Sequence, residues 1–139
     1  MAKNFRPSSR EAQILSKIES SREREKQQML YKLNDKIESL SNSVSMKLIE
    51  NNLIETTNKN GLQRQIEGCL DTLSKADDFD IDYKIAPIRN IVKNPNFISL
   101  YITSFIIEDL INNKDIVDIF GDDPEIYNCI NSEVKKQLL

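Results

Sequence analysis

The stretch NPNFISLYITSFIIEDLINN, residues 94–113, decides how the rest of the chain is read. Asn94-Pro95 is a helix start, with Asn as the cap and Pro at the first helical position. Behind it, Phe97, Ile98, Leu100, Tyr101, Ile102, Phe105, Ile106, Ile107, Leu110 and Ile111 cover almost every side of the helix that would follow. A helix that is apolar all round belongs in the middle of a protein, so this segment is expected to be the spine of a helical core. At 11 residues, its most apolar run, 97–107, is too short to span a bilayer, which needs about 18 or more.

Downstream, Ile116 to Phe120 reads as a short apolar connector ended by Gly121. Asp122 or Asp123 then caps a last helix with Pro124 near its start, and Ile126, Ile130, Val134 and Leu138 recur along it at helical spacing. Upstream, a helix is expected from Leu62 to about Lys75, with Leu62, Ile66, Cys69, Leu70 and Leu73 on one face. Gly68 interrupts that helix and is expected to mark close packing. Asn58-Lys59-Asn60-Gly61 reads as a stop and turn, the acidic run Asp77–Asp82 as a loop, and Ile85–Val92 as a short helix around Pro87.

The first sixty residues are of a different kind. Seven of the nine aromatics lie after residue 78, and only Phe5 and Tyr31 precede it. Pro7-Ser8-Ser9-Arg10-Glu11 has the spacing of a capping box, and neither Gly nor Pro occurs from there to Thr56. Some 48 helical residues would reach about 70 Å, so the helix either projects or breaks and folds back. The segment Glu19–Gln28 has no apolar residue and is the expected place for a bend or for a solvent-exposed stalk. Leu30, Leu33, Ile37, Leu40 and Val44 then fall at 3–4 spacing, two heptads of a coiled-coil-like seam. The expected architecture is therefore all-α: a long N-terminal helix, broken near 19–28 or continuous, packed on a small C-terminal helical bundle. Residues 1–60 form a basic arm and amphipathic helix, and residues 61–139 form the core domain.

Charge follows the same division. Residues 1–60 carry 11 Lys/Arg against 8 Asp/Glu, whereas residues 61–139 carry 8 against 14. The chain contains no histidine, the commonest general acid/base and metal ligand, and shows no P-loop, dinucleotide fingerprint or nucleophile elbow. Asp78-x-Asp80-x-Asp82 has the opening of a calcium loop, but Tyr83 and Arg89 stand where that loop needs Gly and Glu. No metal or cofactor is expected. Cys69 and Cys129 form no CxxC pair and read as core thiols of a reducing cytoplasm.

Three function classes follow. The first is a non-enzymatic protein-interaction module, a small helical adaptor or accessory subunit, docking on another protein or on a second copy of itself through Leu30, Leu33, Ile37, Leu40 and Val44. The bland reading of the same seam is packing against the C-terminal helices of its own chain. The second is a nucleic-acid-associated regulator, with Lys3, Arg6 and Arg10 as phosphate contacts. The acidic pI near 5.1 speaks against it for the domain as a whole. The third, an enzyme built on Asp77–Asp82 with Glu108 and Asp109, is the least supported.

Overall fold

A computed structural model describes residues 24–110 and 116–139. The capping box at Ser8–Glu11, the stripe Ala12, Leu15 and Ile18, and the cations Lys3, Arg6 and Arg10 lie outside the described residues.

The expected spine forms, with two changes. Helix α5 runs Phe97–Ser104, and all seven residues from Ile98 to Ser104 are buried. Its cap is Asn96 rather than Asn94: the Asn96 side chain accepts from the Ile98 and Ser99 amides at 2.9 and 3.3 Å. Asn94 instead adopts a positive φ of 49°, which turns the chain just before the helix. From Phe105 to Asp109 the coil widens into a π-helical turn, in which the Leu110 N–H donates to the Phe105 carbonyl five residues back. The buried hydroxyls of the spine are satisfied. Ser99 donates to Asn131 at 2.8 Å, Thr103 to the Ser99 carbonyl at 2.7 Å, and Ser104 to the Lys84 carbonyl at 3.2 Å.

Around α5 pack α3 (Lys59–Lys75), α4 (Asp78–Ile85) and α6 (Asp123–Leu138), and α2 (Ile37–Glu50) lies against α3 and α6. Helix α6 matches its expected stripe, since Ile126, Ile130, Val134 and Leu138 are all buried and Asp122 caps it through the Glu125 amide at 2.9 Å. Helix α3 begins three residues earlier than its apolar stripe suggests. Asn58 is its cap, so the segment expected as a turn is the first turn of the helix. Gly61 suits that turn: a Cβ there would stand 2.5 Å from the Asn58 amide group and press on the side chain that caps the helix.

The N-terminal half differs most from expectation. Residues 24–34 are helical (α1), so the 24–28 part of the expected bend is not one, and 19–23 lies outside the described residues. The break falls at Asp35-Lys36, where the Lys36 N–H turns back to the Leu33 carbonyl at 2.8 Å. Propensity explains the shift. Glu, Arg, Lys and Gln favour helix even without an apolar partner, whereas Asn34 and Asp35 compete for backbone hydrogen bonds. Helix α2 then ends at Glu50, not near Thr56. Asn52 takes a φ of 58°, and the Leu53 N–H closes on the Leu48 carbonyl at 2.9 Å, a left-handed C-terminal cap.

The residues released by that cap form strand β1 (Ile54–Thr56), which pairs antiparallel with β2 (Ile116–Ile119). The apolar connector expected at 116–120 is thus the second strand of a two-stranded ribbon, and the chain is mostly helical rather than wholly so. Ile54 is buried, and the ribbon closes where the Phe120 N–H donates to the Leu53 carbonyl at 2.7 Å. One hydrophobic cluster runs from Leu33 to Leu138, drawing on both halves of the sequence.

Candidate functional site

The acidic run expected as a loop is a helix, and it organises the most distinctive surface of the molecule. Asp77 accepts from the Asp80 amide at 2.8 Å as its cap, and Asp78 and Asp80 in the first turn complement the positive end of the helix dipole. Ile81 and Ile85 face the core and anchor α4. On the opposite side, four residues apart, Phe79 and Tyr83 stand 75% and 77% exposed. Two aromatic rings this exposed on one helix face are the kind of apolar surface that a single chain normally hides.

Both flanks of that face are charged. On one side Lys26 of α1 reaches Asp78 and Asp82, at 3.6 Å from each, while its ammonium lies 5.6 Å from the centre of the Phe97 ring. Arg89 approaches Asp82 at 3.9 Å. On the other side Lys84 bonds Asp109 at 2.8 Å, with Glu108 at 3.9 Å. In all, six carboxylates (Asp77, Asp78, Asp80, Asp82, Glu108 and Asp109) meet three cations here.

Behind the Lys84 flank lies a groove of about 540 Å³ between α3, α4 and the α5 π-turn. Gly68, Cys69, Tyr101 and Phe105 line it together with Lys84 and Asp109. Burial pushes the Cys69 thiol up to about 12 from its ordinary 9.0, Lys84 lowering it and Asp109 raising it. A thiol so placed stays protonated and is a poor nucleophile. Burial also raises the Tyr101 hydroxyl, with Cys69, Asp109 and Asp80 adding to the rise and Lys84 opposing it. For Lys84, burial works against the charged form, but the hydrogen bond to Asp109 and the charges of Asp109 and Glu108 outweigh it and lift the pKa.

The candidate sites read from the sequence are distributed differently. Leu33, Leu40 and Val44 are fully buried, and Leu30 and Ile37 are half-buried against the same core, so the five seam residues pack within their own chain. Asp78, Asp80 and Asp82 lie on a helix, which sends Asp78 and Asp82 to one flank and Asp80 to the other. Among the described residues no group of acidic or cysteine side chains could hold a metal. Cys69 and Cys129 are free thiols. Of Phe97, Tyr101 and Phe105, spaced four residues apart along α5 and the π-turn, Tyr101 is buried while Phe97 and Phe105 are half-buried. Among the described residues, no helix is long and apolar enough to cross a membrane.

Phe79 and Tyr83 were not among the sequence candidates. The signal that would have found them is the Asp77 cap followed by Ile81 and Ile85: once α4 is a helix, residues 79 and 83 must point away from its core face. Comparison with protein-family models, with curated proteins and with solved structures gives no match for this chain.

Proposed function

We propose that this protein is a non-enzymatic interaction module, a small helical adaptor or accessory subunit of a larger assembly in a reducing cytoplasm, and that it engages its partner through the outer face of α4. The observation that carries this reading is the exposed pair Phe79 and Tyr83 on an acidic helix. Aromatic side chains are enriched at the centres of protein interfaces, where burying each ring contributes strongly to affinity. The excess of carboxylates around them specifies the partner's chemistry: a protein with an apolar notch rimmed by Lys and Arg. Complementary charge of this kind speeds association and fixes register.

The reading moves the contact surface away from the seam on α1 and α2, whose residues are occupied in the core. It also favours a protein over nucleic acid, because the same carboxylates would repel a phosphate backbone at this face. The alternative of a nucleic-acid regulator rests on Lys3, Arg6 and Arg10 alone.

Affinity purification of a C-terminally tagged chain, run beside Phe79→Ala/Tyr83→Ala, tests the proposal. The expected result is a protein recovered with the natural chain, lost with the double variant, and lost at high salt. Recovery of the same protein with both chains would contradict it.

A further inference from the structure

Two local departures from ideal helix geometry border the groove between α3 and α5. The first is Gly68. A glycine in a helix interior costs about 1 kcal/mol relative to alanine. Close packing would account for it, yet a Cβ at Gly68 would meet no atom within 4 Å. The missing side chain therefore leaves α3 backbone bare along the groove. The second is the π-turn. Such turns are rare and concentrate at functional sites. Here the turn runs from Phe105 to Asp109, and both of these residues line the cavity.

The cavity, about 540 Å³, lies within the range of small-molecule sites, about 300–1,000 Å³. Its chemistry is specific. Tyr101 and Phe105 offer aromatic surface and Cys69 an apolar floor. At the Lys84 end, two carboxylates, Asp109 and Glu108, face one ammonium, with Asp80 of α4 adding to the negative field felt by the Tyr101 hydroxyl. An anion entering here would compete with Asp109 for Lys84 and meet Glu108 as well. A cation would meet Asp109 in the groove and Glu108 next to it, two carboxylates set against the single charge of Lys84, with aromatic rings beside Asp109, the two features that hold ammonium groups.

We propose that this groove binds a small organic amine, a protonated primary ammonium on a flat apolar stem. The ammonium sits at Asp109, and the stem lies over Gly68 against Tyr101 and Phe105. The site shares Lys84, Glu108 and Asp109 with one flank of the α4 face but neither Phe79 nor Tyr83, and its test does not depend on the partner proposed for that face.

The test is titration of the full chain with phenethylammonium chloride, followed by backbone amide NMR, with hydrocinnamate as the anion of matching stem. Saturable shifts at Gly68, Thr72 and Asp109 are expected with the amine and not with the carboxylate. Asp109→Asn is expected to weaken binding about tenfold by removing one charge-assisted contact. Gly68→Leu, which places a side chain in the open space while favouring helix, is expected to abolish the shifts without lowering Tm. Absence of saturable shifts with the amine at millimolar concentration, equal shifts with hydrocinnamate, or undiminished binding in Gly68→Leu would each overturn the proposal.

Discussion

The α2–α6 side and the α3–α4 side of this molecule use similar helices to opposite ends. On the first, the apolar stripes turn inward: Leu40, Val44 and Leu48 of α2 join Ile130, Val134 and Leu138 of α6 in one core. The exposed residues between them are tied by polar contacts, Gln137 donating to the Ser43 hydroxyl at 2.6 Å and to the Ser39 carbonyl at 3.3 Å. On the second side, α4 buries only Ile81 and Ile85 and directs two aromatic rings outward, beside a groove that exposes bare backbone at Gly68. The lesson is that apolar periodicity locates the face a helix buries, whereas apolar residues off that period mark what it leaves exposed.

The largest effect expected from this contrast is on the closed side. Leu40→Ala removes a fully buried side chain and should lower the free energy of unfolding in urea by about 2–5 kcal/mol. A cost below about 1 kcal/mol would mean that α2 is not held as described.

The open side has its own signature in alkali. The Cys69 thiol ionises at about 12 when folded against an ordinary value of 9.0. Between these values the folded chain holds a proton that the unfolded chain has lost. Stability is therefore full below 9.0 and falls as pH rises, by about 1.4 kcal/mol per pH unit from this one group. Lys84, also raised, acts with the same sign: its contribution is complete below 10.5 and disappears at higher pH. Cys69→Ala should flatten the first part of this decline in pH-dependent urea unfolding, and an unchanged slope would contradict the burial of that thiol.

Smaller effects should follow at the surface. Gly68→Ala meets no atom and improves helix propensity, so α3 should gain about 1 kcal/mol, read as a higher Tm. Loss of stability there would show that the groove is filled by the chain itself. Phe79→Ala should change stability by less than about 0.5 kcal/mol, because the ring touches little. A cost comparable to that of Leu40→Ala would erase the distinction between the two sides.

Much of the fold could be read from the chain before the structure. The apolar spine at 97–110, the stripe of α6 and the face of α3 follow directly from helical spacing, because burial imposes that period. What escaped was decided by single polar residues. The first helix breaks at Asp35-Lys36 in a backbone turn, Asn52 ends the second through a left-handed φ, and Asp77 starts the fourth through a side-chain cap, none of which apolar patterns register. The ribbon of β1 and β2 pairs residues sixty or more positions apart, a contact no local pattern carries. The seam on α1 and α2 was recognised correctly as an apolar stripe, but the same spacing serves a partner helix or the chain's own core, and here the core takes it. The candidate surface was hidden for a related reason: Phe79 and Tyr83 gain meaning only once α4 is known to be helical.

The central claim, that α4 presents the contact face, is tested most directly by site-specific photocrosslinking in the source cell. A benzophenone side chain would replace Tyr83 in one chain and Glu38, exposed on α2, in another. The expected result is a discrete protein adduct from position 83, suppressed when Phe79 is also changed to alanine, and none from position 38. An adduct from position 38 with none from position 83 would contradict the account.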